Sequence, residues 1–295
     1  MFNRFRFGAD LEQSKTEEDK EMPVAEPQAK RKPAEDAADR AAKHTKLTRK
    51  WQERYHSICD ECFEKVIPCT HYADVPLRLL IVGHNPSENA WTSGFSYSNP
   101  SNRMWKLLMG DFHGRQWSGI LPQDWSMTEQ NVMPHGLGIG FSDLGHEAGN
   151  DAAAYGKAIM HRWKSEFYQR LQAHLERLRN SLHSNKEQNC DNIYGHGPLL
   201  VAFTGKRQYS FLFDPPLKRV DSGLQTSQSL PPDWPLPAAC EVWVLPSSSG
   251  RAAMTDAARC KPYMDLAARL HEIPWPNAPN CTCSASTEAI KQEEM

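Results

Sequence analysis

The stretch LRLLIVGHNPSENAWTSG, residues 77–94, decides the fold of this chain. It opens on a run of strand length, residues 77–82, apolar except for Arg78 and without the polar alternation of a strand that faces water. Such runs belong to parallel strands covered on both faces. The chain then turns: Gly83, His84, Asn85 and Pro86 combine a permissive backbone, two polar side chains and a fixed φ. Ligand crevices of open α/β sheets border the carboxyl ends of strands, so this turn is expected to face a site. Taken alone, G-x-N-P reads as an ordinary surface turn; what lies further along changes that reading.

Outward from this stretch, strands and helices alternate. Residues 102–109 open a helix with Trp105 and Leu108 toward the core, and residues 110–133 read as loop and short turns. Ile159, Trp163, Phe167, Leu171, Leu175, Leu178 and Leu182 return every three or four positions, which predicts one long amphipathic helix over residues 156–182. Residues 199–203 and 242–245 are two further buried strands. Between them come a short helix, residues 205–212, and a proline- and serine-rich loop, residues 214–239. The segment after Ala252 is helical, with a break or kink at Pro262. The alternation predicts an α/β domain: three-layer α/β/α with a mostly parallel central sheet.

Collinear motifs sharpen the picture. G-H-N-P at 83–86 is followed by G-F-S-Y-S-N-P-S-N-R-M-W-K at 94–106, placing Tyr97 twelve residues past Asn85. Then come G-I-G-F-S-D at 138–143, V-A-F-T-G-K at 201–206 and P-S-S-S-G-R at 246–251. In this order they resemble the motifs of the mismatch-specific uracil and thymine DNA glycosylases, of the uracil-DNA glycosylase superfamily, over roughly residues 77–270. Two positions depart from the family's G-I-N-P-G: His84 replaces the aliphatic residue and Ser87 the last glycine.

The resemblance implies a uracil-DNA glycosylase-like fold and a monofunctional DNA glycosylase of base excision repair. Such an enzyme excises uracil or thymine mispaired with guanine, flipping the base and hydrolysing the N-glycosidic bond. It implies Asn85 as the residue that positions the water, helped by the Ser142 hydroxyl. Gly83, His84, Tyr97 and Asn102 would form the base pocket, with Tyr97 stacking on the flipped base. Ser247, Ser248, Ser249, Gly250 and Arg251 would form the loop that enters DNA, with Arg251 as the wedge. An amide orients water but cannot take its proton, so such a site depends on a good leaving group and weakly paired bases. Each residue also has a structural reading: Asn85 bonding its own turn, Tyr97 in the core, Asn102 capping a helix, Ser142 in a turn.

Two alternatives stand beside this expectation. One is a broad uracil-DNA glycosylase indifferent to the opposing base; the other is a DNA-binding adaptor with the same fold and little turnover. A nucleotide-binding enzyme is disfavoured, because no G-x-G-x-x-G follows either strand. Neither metal nor organic cofactor is expected. The expected partner is double-stranded DNA carrying a mismatched or damaged pyrimidine, bound by a monomer.

Composition bounds the rest. With 34 basic and 36 acidic residues the net charge is -2, so DNA contact has to rest on a local basic patch. No apolar segment is long enough to cross a membrane. Eight cysteines without a signal-peptide pattern read as reduced thiols inside a cell. Cys59 and Cys62 form C-x-x-C with His56, Cys69 and His71 nearby, a set with zinc-binding chemistry. Lacking a second well-spaced pair, these thiols are expected to pack as small apolar groups.

Residues 1–50 are charged and poor in aromatics, which predicts a disordered arm. Its basic clusters around Lys30, Arg31 and Lys32 suit nuclear import and predict a nuclear protein. Residues 51–273 form the expected glycosylase domain, with 51–76 as a helical lead-in; residues 274–295 are an expected disordered tail. In that tail Ile290, Lys291, Gln292 and Glu293 resemble an acceptor site for a small ubiquitin-like modifier protein, attached at Lys291.

Overall fold

In the computed structural model, the described residues are 47–182, 197–226, 230–250 and 252–275. In chain order they form helix α1 (Asp60–Glu64), strand β1 (Leu79–Gly83), helices α2 (Glu88–Ser93) and α3 (Met104–Met109) and a hairpin of β2 (Asp111–Phe112) and β3 (Arg115–Gln116). Helix α4 (Met133–Leu137), β4 (Ile139–Asp143), the long α5 (Lys157–Leu182), β5 (Leu200–Phe203) and α6 (Lys206–Ser210) follow. Strands β6 (Gly223–Gln225) and β7 (Glu241–Val244) and helix α7 (Asp256–His271) complete them.

Five strands make one sheet in the order β4-β1-β5-β7-β6. The first four run parallel, with Gly83 beside Asp143, Val82 beside Phe203, and Phe203 beside Val244. Only β6 is antiparallel, closing the far edge against β7. The protein is thus α/β with a mostly parallel sheet covered by helices on both faces.

The period of two along each strand divides the core. Leu80, Val82, Val201, Phe203, Val242 and Val244 face α5 and bury Trp163, Phe167 and Leu171. Leu79, Ile81, Phe141, Leu200, Ala202 and Trp243 face the other way, onto Leu107 and Leu108 of α3 and Tyr263 and Leu266 of α7. Each such side chain contributes about 1.5–3 kcal/mol on burial, so both layers hold the sheet. From Ile159 to Leu178 the apolar stripe predicted for α5 is the stripe that packs.

Several expectations are corrected. Only Asp60–Glu64 of the lead-in is helical. Arg54 instead exchanges both backbone hydrogen bonds with Phe141, at 2.8 and 3.1 Å, and covers part of the open edge of β4. Pairing a sheet edge outweighed the helical spacing of Trp51, Tyr55, Ile58 and Cys62; of these, Tyr55 buries in one cluster and Ile58 and Cys62 in another. Residues 110–133 contain the β2–β3 hairpin and a 3-10 turn, Met127–Asn131, closed by a capping box of Ser126 and Glu129. The proline-rich loop supplies β6. Helix α7 continues through Pro262, with Tyr263 and Leu266 anchoring its second half in the core. Arg251, Lys291, the arm before residue 47 and the tail beyond residue 275 lie outside the described residues.

Candidate active-site cleft

The carboxyl ends of the four parallel strands open into one cleft of about 810 Å³. His84, Asn85 and Ser87 enter it after β1, Asp143 and the loop 149–153 after β4, Thr204–Gln208 after β5, and Pro246–Ser249 after β7. Tyr97 and Asn102 come from the connection between α2 and α3. The site sits where β1 has β4 on one side and β5 on the other, the topological switch point of the sheet.

Asn85 is held rigidly. Its Nδ2 lies 2.8 Å from Glu147 O, 3.1 Å from Gly149 O and 3.2 Å from Pro86 O, so both amide hydrogens are committed. Those contacts fix Oδ1 as the acceptor, 2.7 Å from His84 Nδ1, which therefore donates. Burial pushes the His84 pKa down to about 4, more than its bond to Asn85 raises it, so the ring is neutral at pH 7. The remaining lone pair of Asn85 Oδ1 is free to accept a hydrogen bond from a water. Ser87 caps α2 by accepting from Ala90 N at 3.1 Å, which explains the residue standing where the resemblance has glycine.

Tyr97 carries backbone strain, with φ of 57°. A bulky residue adopts this left-handed conformation only where its surroundings over-determine it, at a cost of about 1–3 kcal/mol. Here Ser96 is clamped from three sides. Its N–H donates to Gln130 Oε1 at 2.8 Å, its carbonyl accepts from Trp105 Nε1 at 3.2 Å, and its hydroxyl accepts from Trp51 Nε1 at 3.0 Å. The phenol of Tyr97 shares a hydrogen bond with Thr204 Oγ1 at 3.1 Å.

Asp143 stands beside that phenol, against Gly83. Burial raises its pKa well above the usual carboxylate range, and the neighbouring Glu53 carboxylate adds to the rise. Burial likewise raises the Tyr97 phenol, with Asp143 second.

Of the residues predicted for the site, Asn85, His84, Tyr97, Asn102, Ser247, Ser248 and Ser249 meet in the cleft. Gly83 backs it. Asn102 also bonds the start of α3, its Oδ1 accepting from Met104 N at 2.9 Å. Ser142 does not join them. It points to the α5 side, donating to Glu53 beside Tyr55 and Arg170. Adjacent strand residues face opposite ways, so Asp143 takes the cleft and Ser142 the core. Gly250 lies in an adjoining groove with Arg103, Lys106 and His113.

Arg259 of α7 holds the serine loop, its guanidinium donating to the carbonyls of Ser247 and Ser249, and to Ala252 O at 2.7 Å. That loop keeps Ser248 buried through Arg103 N donating to Ser248 O at 2.9 Å. Among the cleft residues not singled out from sequence are Asp143, Thr204 and the exposed Lys206. Their signal was present, since Asp143 and Thr204–Lys206 close two of the collinear motifs.

Fold and cleft together define an open-sheet α/β protein with a cleft of mixed polar and apolar lining at its switch point, edged by Lys206 and Arg207. No protein-family model matches the chain, and no curated protein matches it.

Proposed function

We propose that this protein is a monofunctional DNA glycosylase that releases uracil or thymine mispaired with guanine. The observation that carries the reading is the meeting of Asn85, Tyr97 and the serine loop in one cleft, although they are distant in sequence.

The chemistry proceeds through an oxocarbenium-like sugar with negative charge developing on the leaving base. The fixed Asn85 Oδ1 accepts from a water and aims it at the anomeric carbon. The ring of Tyr97 stacks on the extruded base, and its strained backbone keeps that ring in place before the base arrives. Burial shifts the Asp143 carboxyl toward its protonated form, and in that form it donates to a base carbonyl and accepts from the ring N–H, a pattern that a uracil or thymine edge satisfies. Backbone N–H groups and hydroxyls of Ser247–Ser249 contact the phosphates, and Lys206, Arg103 and Lys106 supply the positive charge that the overall balance lacks. The partner in this reading is duplex DNA, bound by a monomer in the nucleus, and no metal or organic cofactor takes part in the chemistry.

Base release from duplexes carrying uracil or thymine, opposite guanine and opposite adenine, tests the reading. Release from the guanine mispairs is expected. Equal release opposite adenine would make the enzyme indifferent to the partner base. Tight binding with no release from any duplex would replace the enzyme by an adaptor.

A further inference from the structure

Outside the cleft, four metal-binding side chains converge on one point. Cys59, Cys62, Cys69 and His71 offer ligand atoms that all lie within 4.8 Å of one another. Cys69 Sγ is 3.9 Å from Cys59 Sγ. His71 Nδ1 is 3.2, 3.4 and 3.8 Å from the sulfurs of Cys59, Cys62 and Cys69. A tetrahedral zinc ion, with Zn–S of about 2.3 Å and Zn–N of about 2.0–2.1 Å, holds its ligands about 3.6–3.8 Å apart.

We infer that Cys59, Cys62, Cys69 and His71 bind one Zn²⁺ ion as a closed, structural Cys₃His site. Three thiolates and an imidazole are soft ligands in the tetrahedral set that favours zinc. An iron–sulfur cluster spreads its four ligands over two or four irons, whereas these four converge on a single point. Four protein ligands leave no open position, so the ion does no chemistry on substrate.

The local structure is shaped for such a clip. Cys59 caps α1, and its sulfur accepts from Cys62 N at 3.4 Å, a bond that favours the thiolate. Val66 takes a φ of 57°, which a β-branched residue rarely adopts, in the turn between the C-x-x-C pair and Cys69. That turn returns Cys69 and His71 to the first two ligands. His56, the other nearby histidine, is engaged elsewhere, 3.2 Å from Asp74 Oδ1. The buried apolar cluster here holds only Ile58, Cys62 and Cys69, with Phe63 and Cys59 against it. So small a cluster is the setting in which a metal supplies what apolar burial cannot.

The clip also bears on the cleft. Phe63 lies between the ligands in sequence, and its ring packs on Phe95 at 5.0 Å. It fills the space over Gly94, where a β-carbon would stand 2.6 Å from Phe63 Cε2. Gly94, Phe95 and Ser96 lead directly into Tyr97, so the ion braces the backbone that presents the stacking ring. This consequence for activity rests on the proposed glycosylase reading; the metal site does not.

The test uses the full chain, purified reduced and without added metal. Zinc and iron are counted by plasma mass spectrometry, and Co²⁺ is titrated into chelator-treated protein. About one zinc per chain is expected, with Co²⁺ giving thiolate charge-transfer and tetrahedral d–d bands. Cys59→Ser and the exposed-site variant His71→Ala should each bind Co²⁺ at least about tenfold more weakly, with circular dichroism confirming the fold. The double variant Cys281→Ser/Cys283→Ser, in cysteines outside the described residues, should keep the metal. Under a tenth of an equivalent of zinc with no Co²⁺ spectrum, iron with acid-labile sulfide, or unchanged affinity in both ligand variants would each overturn the site. Metal content is read without base release, so the two readings fail separately.

Discussion

Asp143 Oδ1 occupies the space over Gly83 where any other residue would place its side chain: a β-carbon there would stand 1.8 Å from that oxygen. The two residues are register partners at the ends of β4 and β1, and Tyr97 Oη would be 3.0 Å from the same point. Gly83→Ala therefore has to push Asp143 and Tyr97 out of place. We expect base release in single-turnover assays to fall at least about tenfold, as misplaced reacting groups do. The overpacking should cost about 1–3 kcal/mol in urea unfolding. Wild-type turnover in a folded Gly83→Ala protein would show that the position of Asp143 does not matter.

In the proposed mechanism, Asn85→Ala removes the carbonyl that positions the water. Base release should drop by about a hundredfold or more, the scale of a lost positioning group, while affinity for a uracil–guanine duplex persists. Undiminished release would take Asn85 out of the mechanism.

Asp143 also sets a dependence on pH. Its folded pKa is raised by burial, so the folded state holds a proton that the unfolded state gives up near the ordinary value of 3.8. The stability from that proton is complete below 3.8 and is lost as pH rises toward the folded pKa. Asp143→Asn abolishes the loss. Its melting temperature relative to wild type should climb with pH from about 4 upward; a constant difference from pH 4 to 8 would contradict a protonated carboxyl.

Glu53 behaves oppositely. Burial alone would raise its carboxyl, but the His146 ring 3.3 Å away, the Arg170 guanidinium and the Ser142 hydroxyl outweigh it and hold the pKa at about 2. Its contribution, on the order of 3 kcal/mol, is present above about 4.5 and is lost as pH falls through 2. Glu53→Gln should be less stable at neutral pH and should lose less on acidification. Equal acid profiles for the two proteins by chemical unfolding would remove Glu53 from the account.

Arg259 links α7 to the serine loop. Arg259→Met keeps much of the buried stem and strips the carbonyls of Ser247, Ser249 and Ala252 of their charged donor. Stability should fall by about 2–4 kcal/mol. Loosening of the loop should weaken duplex binding more than it slows release at saturating DNA. A fall confined to release, with binding unchanged, would argue that the loop plays no part in holding the duplex.

The strands and the long helix were legible because their signals are local. The unbroken apolar run of residues 79–82 and the three-to-four spacing from Ile159 to Leu178 each state which surface must be buried, whatever lies opposite. The strand-then-polar-turn pattern also marked where a site would open, and Asn85, Tyr97 and Ser247–Ser249 all line it. Pairing decided the rest. Whether Ser142 or Asp143 faces the cleft depends on strand phase, set when Gly83 comes to lie beside Asp143. The lead-in has a helical period, yet Arg54 bonds Phe141 because an unpaired sheet edge offers it stronger partners. Cys69 and His71 join Cys59 and Cys62 through one left-handed turn at Val66, which their spacing does not announce. The strained Tyr97 is held through Trp51, Trp105 and Gln130, reaching Ser96 from 45, 9 and 34 positions away. Apolar period and turn chemistry act between near neighbours, so they can be read along the chain. Hydrogen bonds across such separations exist only after the chain has closed on itself, and they hold the strained turn that aims Tyr97.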